Sequence, residues 1–254
     1  MLIIPAIDLK DGYVVRYVQG KLDKKVYSKD PLKTTRHWIK SGAKWLHIVD
    51  LDGAFSGTPK NLDIVKKIAK AANIPIQCGG GIRDLKTIKN LLDAGIWRVV
   101  LGTRALEDRI FLKNCFAKFK DKIIISIDAN GGKLMTNGWK RAYKGKDVIG
   151  FARELKSLGF NQAIYTDTLK DGTLSGPNIK GIKGLLRKSG LNIIASGGIS
   201  SLDDILKLKK LEKQGLIGVI IGKALYEGRF TLQKALAVAG RSSSKPKNQR
   251  DSKM

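Results

Sequence analysis

The chain reads as an α/β protein, a (β/α)8 TIM barrel assembled from two half-barrels with a pseudo-twofold repeat. Three observations predict this. Its 254 residues fit the roughly 250 that a single barrel needs. Short β-branched runs alternate with helical segments from end to end, the pattern of a buried parallel sheet. Blocks of the first half also return in the second. Gly80-Gly81-Ile82 recurs as Gly197-Gly198-Ile199, 117 residues on. Val99-Val100-Leu101-Gly102 recurs as Val219-Ile220-Ile221-Gly222, and Ile7-Asp8 as Ile127-Asp128, both at an offset of 120. Asp52-Gly53-Ala54-Phe55-Ser56-Gly57 is echoed by Asp171-Gly172-Thr173-Leu174-Ser175-Gly176. A period this long is not a solenoid. An open sheet offers no symmetric place for the second half, whereas two four-strand halves laid head to tail close into one barrel.

The strands are predicted at Leu2–Asp8, Trp45–Asp50, Ile74–Cys78, Arg98–Gly102, Ile123–Asp128, Gln162–Asp167, Leu191–Ser196 and Leu216–Gly222. A segment with helical spacing follows each. The first helix begins at Asp30-Pro31, an N-cap residue followed by a proline suited to the first turn.

Hydrophobic residues form 43% of the chain, enough for a barrel interior and an outer helical layer. No apolar run approaches the roughly 18 residues that span a bilayer, and Leu2 to Ile7 is too short for a signal-peptide core. Cys78 and Cys115 are the two cysteines, which excludes a disulfide framework or a cysteine-based zinc cluster. A cytoplasmic setting follows. The net charge is +26, with 36 lysines against 12 arginines. The lysines recur along nearly every predicted helix, for example Lys66, Lys67 and Lys70, or Lys207, Lys209, Lys210 and Lys213. That distribution suits a solvated surface. A nucleic-acid site would gather arginines and aromatics in one patch. Residues 1–240 are read as the barrel domain and 241–254 as a basic, disordered tail with no part in catalysis.

In such barrels the working residues end the strands on one face. Here that face carries Asp8, Asp50, Gly79 to Gly81, Gly102-Thr103, Asp128, Thr166-Asp167, Gly197-Gly198 and Gly222-Lys223. The glycines after strands three and four, and again after seven and eight, let backbone N–H groups and helix N-termini meet an anion. Any one of them taken alone would merely turn the chain. The four loops, paired by the repeat, place two phosphate sites opposite each other across the barrel mouth. The ligand is then elongated, with a phosphate at each end.

Asp8 and Asp128 are equivalent in the repeat and also face each other, crosswise to the phosphates. A carboxylate ending a buried strand is costly unless paired, hydrogen-bonded or used. Opposed carboxylates suit a proton taken from one side of a substrate and delivered on the other. Thr166, Asp167 and Asp171 lie beside the pair, with Thr166 placed to orient an intermediate. Asp50 and Asp52 fit structural and functional readings equally. His47 lies within strand two, facing either the barrel interior or the helices, and His37 is expected on an exposed helix face. Arg16 and Gln19 sit in the long loop after strand one, where they would close over a ligand. Arg83 would grip a phosphate with two N–H groups. Trp139 would stack on a flat heterocycle. No serine, cysteine or metal-ligand constellation is visible.

Several motifs resemble the phosphoribosylformimino-5-aminoimidazole carboxamide ribotide isomerase family of histidine biosynthesis. They are Pro5-Ala6-Ile7-Asp8-Leu9-Lys10-Asp11-Gly12 with Val15-Arg16 and Gln19-Gly20, His47-Ile48-Val49-Asp50-Leu51-Asp52-Gly53-Ala54, Gly79-Gly80-Gly81-Ile82-Arg83, Asp171-Gly172-Thr173-Leu174, Ser196-Gly197-Gly198-Ile199 and Gly222-Lys223-Ala224-Leu225. The match runs from Met1 to about Gly240. One departure is Asn130-Gly131-Gly132 after Asp128-Ala129, where that family carries a charged residue or two.

The resemblance implies an Amadori rearrangement of a sugar bearing a phosphate on each of two ribosyl units, by a cytoplasmic monomer with no metal or other cofactor. It implies Asp8 as general base and Asp128 as general acid, with Thr166 assisting. The substrate contacts it implies are Arg16, His47, Arg83, Trp139 and Asp171, with Gly81, Gly102, Thr103, Gly198, Gly222 and Lys223 near the phosphates. Gly197 joins these through the glycine loops. The partner is a small bis-phosphate, with no membrane and no specific nucleic acid. Rival readings are the cyclase subunit of imidazole glycerol phosphate synthase, an isomerase also serving the tryptophan pathway, and a basic nucleic-acid-binding barrel without catalysis. The cyclase expects a lysine-bearing catalytic loop after strand one, where this chain has Val14-Val15-Arg16-Tyr17-Val18-Gln19-Gly20.

Overall fold

The computed structural model describes residues 1–18 and 21–240. Gln19, Gly20 and the tail from 241 lie outside them, and so do the readings made there. Eight parallel strands form a closed ring: β1 (Leu2–Lys10), β4 (Leu46–Asp50), β5 (Ile76–Gly79), β6 (Arg98–Leu101), β7 (Ile123–Asn130), β10 (Gln162–Asp167), β11 (Asn192–Ser196) and β12 (Leu216–Ile221). Pairing of β1 with both β4 and β12, and of β7 with β10, leaves the ring no edge. All eight predicted strands are present, with ends shifted by at most two residues.

Alternation along each strand decides what faces in. Ile4 and Ala6 of β1, Val100 of β6, Ile124 of β7, Ile164 of β10, Ile194 of β11 and Ile220 of β12 pack together as one cluster inside the ring. Their neighbours Ile3, Ile7, Val99, Ile125, Ala163, Ile193 and Val219 pack outward against the helices. Two faces of one strand thus serve two cores. Continuing the inward set of β1 two residues past Ala6 reaches Asp8, and that of β7 runs from Ile124 through Ser126 to Asp128.

The helices begin where capping predicts. In α1 (Pro31–Lys40) Asp30 accepts the Lys33 N–H at 2.9 Å, with proline in the first turn. Four further strands lie outside the ring, two of them in the segment after strand one that the sequence presents as a long loop. β1 turns at Asp11-Gly12 into β2 (Tyr13–Val18), which pairs with β3 (Lys21–Ser28). In the other half β7 turns at Gly131-Gly132 into β8 (Lys133–Thr136), which pairs with β9 (Arg141–Asp147). Both turns have two residues with positive φ, +51° and +80° at Asp11-Gly12, +56° and +85° at Gly131-Gly132. That is the backbone of a tight hairpin. The half-barrel repeat therefore extends into the loops after strands one and five.

Candidate active site

One cavity at the carboxyl end of the barrel is lined by Asp8, Arg16, His47, Gly81, Arg83, Gly102, Thr103, Asp128, Trp139, Thr166, Asp171, Gly197, Gly198, Gly222 and Lys223. Strand ends supply the acids, strand-to-helix turns supply the glycines, and the two hairpin extensions bring in Arg16 and Trp139.

Asp8 is held by Arg16 from β2. The guanidinium donates one N–H to the Asp8 carboxylate and another to the Ala6 carbonyl. It also lies 5.1 Å over the Tyr226 ring, whose hydroxyl donates to the same Ala6 carbonyl at 3.0 Å. Burial pushes the Asp8 carboxyl above its ordinary range, and the charge and hydrogen bond of Arg16 pull it back.

Asp128 has no such cation. Ser126 Oγ donates to it at 2.7 Å and the Trp139 indole N–H at 2.9 Å. Burial raises its carboxyl too, opposed by these donors and by the Thr166 hydroxyl. Trp139 therefore spends its N–H on Asp128, which fixes how its ring can face a ligand. Asn137, Gly138 and Trp139 are all left-handed, at φ +54°, +62° and +69°. Backbone strain of about 1–3 kcal/mol for each non-glycine residue there is of the kind concentrated at working sites. Ser126, two residues before Asp128 on the same strand face, was missed by the sequence reading although the alternation points to it.

Asp171 lies in the same cavity, where burial and then the charge of Asp8 push its carboxyl up to about 7. Asp50 and Asp167 are structural. Asp50 accepts N–H groups of Gly53, Lys60 and Asn61 at 2.6–2.9 Å and the Asn61 side chain at 2.7 Å. Asp167 accepts the Asn178 side chain at 2.6 Å and the Leu169 N–H at 3.0 Å. Asp52 is tied up outside the cavity, with Lys10 at 2.8 Å and Asn61 at 2.9 Å. His37 is exposed.

The glycine cradles are near copies. Gly81 has φ +71°, and a Cβ there would sit 2.5 Å from the Gly53 carbonyl oxygen; Gly198 has φ +83°, and its Cβ would sit 2.4 Å from that of Gly176. Neither position admits a side chain. Beside them, the short helices Thr103–Glu107 and Lys223–Tyr226 start directly after Gly102 and Gly222, leaving their first amide N–H groups without intrahelical partners. Lys223 Nζ donates to the Gly172 carbonyl at 2.9 Å at one end. At the other, exposed Arg83 reaches Asn137 Oδ1 at 3.4 Å. Tyr17, Phe55 and Leu174 complete the walls, apolar residues with no distinguishing pattern in the sequence.

His47 turns inward rather than toward the helices. Its ring is in contact with Gln77 and lines the cavity, and burial, then the charges of Arg16 and Arg98, push its pKa down to about 3. It is a neutral imidazole at any ordinary pH. Among the described residues no three His, Cys, Asp or Glu side chains gather as a metal site, and no helix is long and apolar enough to cross a membrane.

A family model described as "Histidine biosynthesis protein" matches residues 2–231. A relative from Moorella thermoacetica is 47% identical over 240 residues, covering 94% of this chain and 98% of its own. One from Syntrophomonas wolfei is 48% identical over 241 residues, covering 94% and 98%. One from Clostridium botulinum is 44% identical over 246 residues, covering 96% and 100%. All three are named 1-(5-phosphoribosyl)-5-((5-phosphoribosylamino)methylideneamino)imidazole-4-carboxamide isomerase.

Proposed function

We propose, because the chain belongs to the histidine biosynthesis protein family, that it is the isomerase converting this bis-phosphorylated aminoaldose into the aminoketose. One observation carries the reading: two opposed carboxylates and two matched glycine cradles line the same cavity. The cradles hold the two phosphates, and binding energy gathered there keeps the reacting sugar between the acids.

Asp128 protonates the ribose ring oxygen, and the ring opens to a protonated imine. Asp8 removes the proton at C2, giving an enolamine that tautomerises to the ketose. The imine nitrogen is the electron sink, so the chemistry requires neither metal nor redox cofactor. Arg16 favours an ionised Asp8, ready to accept a proton. Thr166 and Trp139 orient Asp128 by donating to it. A second reading of the acid has its own support: Asp171, with its carboxyl near 7, holds a proton at neutral pH more readily than an ordinary aspartate. The substrate is the partner we assign, the enzyme acting as a cytoplasmic monomer. The cytoplasmic setting fits Cys78 and Cys115, both free and buried.

The test is conversion of the purified ribotide by wild type, Asp8→Asn, Asp128→Asn and Asp171→Asn. Wild type turns over, and Asp8→Asn loses at least about 10²-fold in kcat with affinity largely kept. The acid is whichever of the other two variants loses a comparable factor. Full turnover by Asp8→Asn would overturn the assignment.

A further inference from the structure

Below the reacting acids a chain of polar side chains crosses the barrel interior, and the mechanism above leaves it unused. His47, Gln77 and Arg98 sit side by side on β4, β5 and β6, in direct register. Gln77 is fully buried and Arg98 nearly so. Arg98 donates to Gln77 Oε1 at 2.6 Å and to Gln162 Oε1 at 2.8 Å, and its guanidinium lies 5.1 Å over the Trp45 ring. Among the described residues no carboxylate forms an ion pair with it, and its Nε has no partner. Burial pulls its pKa down to about 10, so it stays a cation. An interior cation held by amide oxygens and an indole face, favoured by the charge of Asp121 but without an ion pair, is costly to fold around.

Its consequence is felt at His47. A guanidinium can only donate, so the Gln77 oxygen must face Arg98 and the Gln77 NH2 must face the imidazole, 2.9 Å from Nδ1. An amide NH2 also only donates, so Nδ1 accepts and the ring proton sits on Nε2. This follows from donor and acceptor chemistry alone. Arg98 fixes the orientation of the amide, and only a ring turned with Nδ1 toward Gln77 places an acceptor before its NH2. Nε2 has no hydrogen-bond partner among the described residues and is not sealed from the cavity. The charged groups nearby are Arg16 on β2, paired with Asp8 on β1, and Arg98 on β6. Both cations oppose protonation of the ring.

The register then says what that N–H is for. Ala6 pairs with His47 and Asp8 with Val49, so the imidazole lies on the strand beside Asp8, one inward step deeper. We infer that Gln77 and Arg98 are positioning residues that lock His47 as the neutral Nε2–H tautomer, presenting a hydrogen-bond donor to the substrate oxygen on the carbon Asp8 deprotonates. That oxygen becomes the ketone of the product. A fixed neutral donor aimed where electron density changes in the reaction needs no reorganisation at that moment. The inference rests on the isomerase reading, and its test separates the two.

The chain has two histidines, His37 and His47, so long-range proton–nitrogen correlation spectra of the intact protein resolve both rings. In wild type His47 shows the Nε2–H pattern and does not titrate between pH 5 and 8, with exposed His37 resolved beside it. An Nδ1–H pattern, or titration of His47 in that window, overturns the inference whatever the variants do. Gln77→Glu keeps the shape and the bond to Arg98 but offers only acceptors to the ring. It is expected to move the proton to Nδ1, lowering kcat about 10-fold or more with KM within about threefold of wild type. Gln77→Leu releases the ring, which then shows mixed tautomers and a smaller loss. A proton moved to Nδ1 with kcat unchanged also overturns the inference. Absence of ribotide turnover by wild type would instead defeat the functional reading, leaving the tautomer to the spectra.

Discussion

The two halves of the barrel share a plan and differ in electrostatics. Asp8 and Asp128 end equivalent strands, each followed by a two-residue turn and an added hairpin. From its hairpin Asp8 receives a guanidinium, whereas Asp128 receives an indole N–H, joined by Ser126 and Thr166. A cation stabilises a carboxylate far more than neutral donors do. The same contrast recurs at Asp52 and Asp171. Burial would raise Asp52, but Lys10 and Asn61 bring it below its ordinary value. Among the described residues Asp171 has no partner as close as Lys10, and burial with the charge of Asp8 lifts it to about 7. The difference teaches that symmetry supplies the frame. The choice of one residue on each extension gives the two matching carboxylates different partners.

The sharpest way to break this comparison is to exchange the donors. Arg16→Met removes the cation that favours an ionised Asp8. We expect kcat/KM at neutral pH to fall by about 10²-fold and the acidic limb of its pH profile to move upward, because the free base then needs a higher pH to ionise. Ser126→Ala on the opposite arm removes one of three neutral donors and is expected to cost about tenfold or less. Equal losses in the two variants would mean the arms are not electrostatically distinct.

The cradles test the part of the comparison in which the halves agree. Gly81→Ala and Gly198→Ala each force a Cβ onto a backbone carbonyl at a left-handed position. Each is expected to destabilise the fold by about 2 kcal/mol, read as a lowered denaturation midpoint, and to raise KM as a phosphate seat deforms. Matched effects support two equivalent seats. An effect on KM in one variant alone would leave a single working seat.

How much of this was legible beforehand follows from what each signal depends on. The eight ring strands are buried on both faces, so they stand out as apolar β-branched runs bounded by glycine and aspartate. The hairpin strands do not. Arg141–Asp147 is almost wholly exposed and pairs only with β8, so burial imposes no pattern on it. Its signal in the sequence is the Gly131-Gly132 pair alone. The acids and glycines of the site were readable because the repeat marks them twice. The sequence leaves His47 open between two faces; its inward turn is set by pairing with inward-facing Ala6, and its neighbours Gln77 and Arg98 stand 30 and 51 residues away in the chain. Register between strands unites those three, and a single sequence carries no record of register. Trp139 was read as a stacking ring, and its bond to Asp128 follows from three successive left-handed residues that composition does not announce.

The last prediction concerns Asp171, where the second half departs most from the first and the expected effect is smallest. Its folded pKa of about 7 lies above the unfolded value of about 3.9. Between those values the native state binds more protons than the unfolded one, so stability falls as pH rises through that window. Below about pH 4 both states are protonated and the penalty vanishes. Above about pH 7 it is present in full. Asp171→Asn removes it. Each pKa unit corresponds to about 1.4 kcal/mol, but Asp171 keeps some contact with solvent, which screens the interaction. The variant is therefore expected to be more stable than wild type by on the order of 1 kcal/mol at pH 8 and indistinguishable from it at pH 4, measured by urea denaturation. Because the charge of Asp8 contributes to the shift, the gain should shrink when Asp8→Asn is already present. At Asp52 the sign reverses. Its carboxyl is depressed by Lys10 and Asn61, so Asp52→Asn should lose stability at pH 8, and the loss should fade as acid protonates both states. Opposite pH slopes from two carboxylates in matching stretches of the chain would show that the halves, built alike, are charged in opposite senses.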